Sequence, residues 1–450
     1  MDILNLEEKY CSQGDTSGKH IPKKLFKRQL GSFLFDECDI AYLDMQMFNS
    51  AANFGYKNPI YEKKCNLSEK NLVCLSGEFI HEERILLSAT IGKYMQTKLG
   101  VQGRVHFTVG GAQAVDDALK LAFNHTNKKQ IFAFEGGYHG RTMASSSISS
   151  SYRYSKAFGS IISTQRIPFP NCARCAYGKE KITCQLYCIQ QFERLFENEF
   201  NGVVNADSKD TAFAAFVFEP VLGRGGYVFP HEEYFLALTK ILQKHKVLVV
   251  VDEVQMGFFR TGKQWSFEHY GITPDILIFG KSVTNGIWPL SGVWAKEEII
   301  SPESWPLGST HCTFANSPLA MSLARTTFEL TSSTQFLQTQ ETGAKKFKDI
   351  IMGLKKDFSF IGRAQVKGHS AGLDIVDSIT LKPDGIRANQ LVEIALNEDI
   401  IVNQKPYRLV ITTGGTHNSS LMLSPSLYIS ESELELFDLL IRKCFEKIFH

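Results

Sequence analysis

Three short apolar runs in this chain each stop at a residue that carries chemistry. Phe213–Glu219 is closed by an acid and Pro220, Val247–Val251 runs straight into Asp252, and Asp275–Phe279 is followed by Gly280 and Lys281. Runs this short, apolar at nearly every position rather than at alternate ones, suit strands covered on both faces. Helical spacing fills the intervals: Tyr234–His245 lies between two of the runs, and Ala114–Phe123 precedes a further strand candidate, Lys129–Glu135. Strands alternating with helices predict an α/β chain built on a mostly parallel sheet. In such sheets ligands gather just past the C-terminal strand ends, which is where Glu219, Asp252 and Lys281 stand.

From about Pro318 the texture changes. Leu319–Leu330 reads as a helix, Thr331–Thr339 as a polar joint and Gly343–Leu354 as amphipathic. Leu409–Thr412 and Ser426–Ile429 read as strands, and Ser430, Glu431 and Glu433 form a capping box ahead of a helix over Leu434–Ile448. The 450 residues are accordingly divided into a large domain, 57–320, and a smaller α+β domain, 321–450, joined by the N-terminal segment 1–56. Lys and Arg number 49 against 47 Asp and Glu, a formal net charge of +2, which argues against a nucleic-acid partner. The longest apolar runs, Ala212–Phe218 and Val247–Val251, fall well short of the ~20 residues that span a membrane. Met1–Tyr10 is acidic and Lys23–Arg28 basic, with no apolar secretory segment between them. The expectation is a soluble, cytoplasmic protein.

Of 10 cysteines, Cys172, Cys175, Cys184 and Cys188 cluster as CxxC followed by CxxxC. Such spacing could hold zinc through four thiolates, but no zinc-ribbon pattern of glycines and aromatics accompanies it. The favoured expectation is a cysteine-bearing insertion without metal.

The strand ends suggest a particular chemistry. A carboxylate such as Asp252 beneath a heteroaromatic nitrogen keeps that nitrogen protonated. A lysine such as Lys281, enclosed, forms a Schiff base with an aldehyde and then serves as a general base. An acid after a strand is also a common helix cap, and most lysines are solvated. Two further motifs weigh toward chemistry. Thr108–Ala114 is Gly-rich and opens a helix whose first N–H groups suit an anion; it matches neither a dinucleotide nor a Walker fingerprint. Gly136–Thr142 brings the Tyr138 ring and the His139 imidazole to the same sheet edge. A phosphate cradle, a stacking ring, a carboxylate and a lysine together describe a pyridoxal phosphate site.

The chain closely resembles the class III (omega) aminotransferases of the fold-type I pyridoxal phosphate enzymes over nearly its full length. The resemblance is carried by VVVDEVQMGFFRTG (Val249–Gly262), PDILIFGKSVTNG (Pro274–Gly286), FTVGGAQAV (Phe107–Val115), EPVLGRGG (Glu219–Gly226) and STHCTFANSPLA (Ser309–Ala320). It implies a three-layer large domain, Lys281 as the Schiff-base lysine and Asp252 as partner of the pyridine nitrogen. It further implies Gln255 at the cofactor's phenolic oxygen, Val254 and Tyr138 on opposite faces of the ring, and Glu219 lining the site. By the same resemblance Gly111 and Ala112 would bind phosphate largely through backbone N–H, the family's usual hydroxyl being absent at Ala112. Thr313 is implied to come from the neighbouring subunit of a homodimer with shared active sites.

Departures from the family pattern bear on substrate. Met422, in SSLMLSPSLYIS (Ser419–Ser430), stands where many relatives carry a carboxylate-binding arginine, and Arg224 stands where they carry its glutamate partner. Two readings follow: Arg224 takes over the carboxylate, or the pocket favours an apolar amine end and uses Arg224 elsewhere. Asn49 falls where relatives place an aromatic or aliphatic pocket residue. The resemblance implies ping-pong transfer of an amino group from an amino acid or terminal amine to a 2-keto acid. The alternative on the same scaffold is an amino-acid racemase or epimerase.

Overall fold

The computed structural model describes residues 3–12, 14 and 24–449; residues 1, 2, 13 and 15–23 of the N-terminal segment, Lys23 among them, lie outside the described residues. Seven strands form the central sheet, in the spatial order Gly103–Thr108, Ser291–Lys296, Ile276–Phe279, Leu248–Asp252, Phe213–Phe218, Gln130–Phe134, Thr164–Ile167. Ser291–Lys296 runs antiparallel to both neighbours, and the remaining pairings are parallel. The α/β expectation is met.

Burial explains why these runs lack alternation. Phe132, Phe134, Phe216, Phe218, Val249, Val251, Leu277 and Phe279 enter a core on one face. The intervening Ile131, Ala133, Ala215, Val217, Val250, Ile276 and Ile278 enter a second core on the other, because successive side chains point to opposite sides of a strand. The first face is aromatic, with Phe132 stacked on Phe213 at 3.7 Å and Phe218 on Phe235 at 4.6 Å between ring centroids. The second carries smaller side chains, and helix Gly111–Thr126 packs there through Ala114, Val115, Ala118 and Ala122.

Two smaller sheets accompany the central one. In a five-stranded sheet, Ala41–Asp44 pairs in parallel with Lys405–Val410, so strands from the two ends of the chain share one sheet. A four-stranded antiparallel sheet orders Ile361–Lys367, Ser370–Ile375, Ser420–Leu423 and Thr412–Gly414. A core containing Phe347, Leu373, Leu391, Leu421 and Phe437 joins it to helices Thr334–Asp357, Gly385–Asn397 and Glu431–Phe449. The expected capping box is present: Glu433 N–H donates to Ser430 Oγ at 3.2 Å, and the Glu433 carboxylate accepts from Ser430 N–H at 2.7 Å.

Two local expectations are corrected. Thr331–Thr339 is not a joint: helix Pro318–Thr331 is interrupted only at Ser332 and Ser333, whose hydroxyl caps the next helix by accepting from Phe336 N–H. Ser426–Ile429 is not a strand, since its backbone bonds go elsewhere; Leu427 N–H donates to the Asn53 carbonyl at 2.7 Å, and the preceding Pro425 carbonyl is held by the buried Arg260 guanidinium. Among the described residues no helix is long and apolar enough to cross a membrane.

Candidate active site

Lys281, Asp252 and Glu219 meet. They line one cavity of about 490 Å³ together with Gly111, Ala112, Tyr138, Val254 and Gln255. The local backbone explains the closeness. Helix Gly111–Thr126 begins after Gly110, which supplies no side-chain cap, so its first N–H groups are left for an anion. A side chain at Gly140 (φ 123°) would put its Cβ 2.4 Å from that of Ala112; glycine there lets the loop after Phe134 close on the helix start. Lys281 itself sits in left-handed backbone, φ 47°, a conformation that side-chain-bearing residues adopt at a cost.

Burial and charge then set the protonation of the site. Asp252 is buried, and its two oxygens have separate partners: His139 Nδ1 at 2.8 Å and the Val254 N–H at 3.0 Å. Burial by itself would lower the His139 imidazole, but the hydrogen bond and charge of Asp252, with help from Glu219, outweigh it and raise the ring's pKa. Burial pushes Glu219 up to about 7; His139 opposes this, the Asp252 charge adds to it, and the N–H groups of Tyr138 (3.0 Å) and Gly223 (3.1 Å) oppose it. Lys281 is depressed to about 8 by burial, against the pull of Glu219 and Asp252 and with the repulsion of Arg224. An amine so depressed is partly neutral near physiological pH, as a nucleophile or proton carrier requires. Gln255 donates from Nε2 to the Tyr227 hydroxyl at 3.0 Å.

Three candidates lie elsewhere. Thr313 is exposed on the short turn Thr313–Asn316, outside this cavity. Asn49 borders a separate cavity of about 550 Å³ with Phe48, Asn285 and Gly286. Arg224 borders a third, of about 330 Å³, which Tyr138 shares with the first. Met422 is buried among Val221, Tyr227, Phe229 and Met256. His139, Arg141 and Thr142 line the main cavity without having been site candidates; the motif Gly136–Thr142 was in view, but the pairing of His139 with Asp252 spans 113 positions and leaves no local signal. Cys172, Cys175, Cys184 and Cys188 are free, half-buried thiols, and among the described residues no group of three or more His, Cys, Asp or Glu is arranged to hold a metal ion.

An uncapped helix start, an enclosed lysine, a carboxylate fixed by a buried imidazole and an aromatic ring fit pyridoxal phosphate. In fold the chain is similar to the omega transaminase from Pseudomonas jessenii, whose structure is in complex with PMP, with a TM-score of 0.86 at 19% identity, covering 100% of this chain and 98% of that one. The family model "Aminotransferase class-III" matches residues 15–445, and the chain belongs to that family. It is a pyridoxal phosphate-dependent aminotransferase of fold type I. Relatives include a leucine/methionine racemase of Thermococcus litoralis, 28% identical over 398 residues (88% of this chain, 84% of that protein). An alanine/serine racemase of Pyrococcus horikoshii is 31% identical over 393 residues (83% and 77%). A protein named as a probable 4-aminobutyrate aminotransferase of Bacillus subtilis is 26% identical over 437 residues (95% and 93%).

Proposed function

We propose that Lys281 captures the cofactor's aldehyde and later carries the proton, in a ping-pong transfer from an amino acid or terminal amine to a 2-keto acid. The observation that carries this reading is the Lys281 amine sharing one cavity with an Asp252 carboxylate fixed 2.8 Å from a buried His139. Bound there, pyridoxal phosphate supplies an electron sink for the bond broken at the substrate carbon. The N–H groups of Gly111 and Ala112 hold its phosphate, Tyr138 and Val254 its ring, and Gln255 its phenolic oxygen. Asp252, oriented by His139, keeps positive charge on the pyridine nitrogen, while Glu219 tunes the proton balance around Lys281. Arg224 takes the substrate carboxylate, and Asn49 contributes to the pocket. Thr313 completes the phosphate site of a neighbouring subunit in a homodimer, a role its exposure permits. The shared N- and C-terminal sheet supports joining 1–56 to 321–450 as against 57–320, while helix Pro318–Thr331 crosses the 320/321 boundary and carries Met321, Leu323, Ala324 and Phe328 into the core of the large domain. Ten free cysteines support a reducing, cytoplasmic setting.

Borohydride reduction of the yellow holoenzyme should fix the cofactor to Lys281, read by peptide mass, and Lys281→Ala should bind cofactor without turning over. Label on a different lysine would overturn the assignment. A second reading, racemisation, is favoured by the two racemases among the relatives; it would have the same residues return the proton to the opposite face of the substrate carbon.

A further inference from the structure

We propose that the chamber beyond Tyr138 is a subsite for a second anionic group on the substrate, remote from the carbon that carries nitrogen. This deepens the reading above and rests on it. The chamber, about 330 Å³, is bordered by Tyr138, which also borders the cofactor cavity, and by two guanidinium groups without a role so far, Arg153 and Arg174, against a single carboxylate, Glu135; Arg224, assigned above to the first carboxylate, is on the same lining.

The positive charge is not consumed by the fold. Arg174 lies 3.3 Å from Asp374, but that carboxylate is already met by both arms of Arg363, at 2.7 and 3.0 Å, and by the Ser420 hydroxyl. One acid thus faces two guanidiniums, and the charge of Arg174 is surplus. Arg224 donates to the Thr413 carbonyl at 3.4 Å, which leaves its charge for the first carboxylate. Arg153 lies over the Tyr154 ring at 5.1 Å and donates to its hydroxyl at 3.1 Å. Arg141, in the cofactor cavity, lies over the same ring at 5.1 Å, and Tyr154 meets Tyr138 edge-on at 5.5 Å. An aromatic pair therefore separates two basic compartments, one beside Lys281 and one beyond it. Guanidinium forks in a walled cleft select carboxylate or phosphate. The amino acids in the racemases' names (leucine, methionine, alanine, serine) carry no second anion and would leave this charge unmatched.

Titration calorimetry on the holoenzyme with glutarate, 3-phosphonopropionate and butyrate, none of which can react, tests the proposal. At least one of the two dianionic probes should bind about tenfold or more tightly than butyrate, and whichever binds best identifies a carboxylate or a phosphate as the distal group. Arg153→Ala and Arg174→Gln should each narrow the preference several-fold, and Arg174→Lys should restore part of it by keeping charge without the fork. Arg153 is exposed, so its substitution reads out even where Arg174→Gln fails to fold. Equal affinity for all three probes, or a preference that survives both substitutions, would overturn the subsite. Borohydride labelling away from Lys281 with the preference intact would remove the catalytic assignment and leave the subsite standing.

Discussion

The Asp252 carboxylate is fixed from two sides. The His139 imidazole holds one carboxylate oxygen at 2.8 Å and the Val254 N–H the other at 3.0 Å, so the pair acts as a unit on whatever the carboxylate faces. Asp252→Asn should keep the fold and lose most turnover, with cofactor occupancy falling less. His139→Asn should lower kcat by roughly 10- to 100-fold, the worth of a hydrogen bond to a charged group, and the fall should exceed any change in KM. Near-native kcat in either variant would reduce the pair to a structural cap. Glu219 gives a pH signature. Its folded pKa of about 7 lies above the ordinary 4.5, so between those values the folded apoprotein holds a proton that the unfolded chain has released. Stability should fall as pH rises through that window, by on the order of 3 kcal/mol in all, and Glu219→Gln should flatten the fall. Urea denaturation of both apoproteins across the window reads the difference, and parallel curves would show that the shift is absent. Lys281, Asp252 and Glu219 could be picked from sequence because each ends an apolar run. His139 could be placed at the same sheet edge, but its bond to Asp252 could not be read, because nothing near it in the chain announces a partner 113 positions away.

Among the elements, the closest fit is between the loop after strand Gln130–Phe134 and the start of helix Gly111–Thr126. Gly140→Ala would drive a methyl to within 2.4 Å of the Ala112 Cβ in backbone with positive φ, and one of the two elements must retreat. The helix start would then be misplaced, and cofactor affinity should fall about tenfold or more while secondary structure is kept, the effect of losing one or two charge-assisted hydrogen bonds. Cofactor titration followed by fluorescence measures it; unchanged affinity would mean that this contact does not position the helix. Strands buried on both faces were legible because their apolar runs are unbroken. Gly103–Thr108, Thr164–Ile167 and Ser291–Lys296 were not, since polar, glycine and serine positions interrupt them. The mistaken strand at Ser426–Ile429 shows the same limit from the other side: its apolar residues are buried by a turn whose backbone partners, Asn53 and Arg260, come from far away in the chain.

At the scale of the whole molecule, the role proposed for the exposed Thr313 in a neighbouring subunit's phosphate site would tie activity to assembly. Dilution that separates subunits should lower activity, and Thr313→Ala should weaken cofactor binding although the residue lies outside its own chain's cavity. Sedimentation with assay at falling concentration checks this, and a fully active monomer would remove Thr313 from the site. The family was legible from its motifs over nearly the whole chain; the substrate was not, because Arg153, Arg174 and Arg224 converge only once the chain is folded. The central claim is amino-group transfer in two separable halves, and the most direct measurement mixes holoenzyme with an amino donor in the absence of any keto acid. The account predicts keto product in amounts stoichiometric with the enzyme, then arrest until a 2-keto acid is added. Continuous accumulation of the donor's opposite enantiomer with no keto acid present would contradict it.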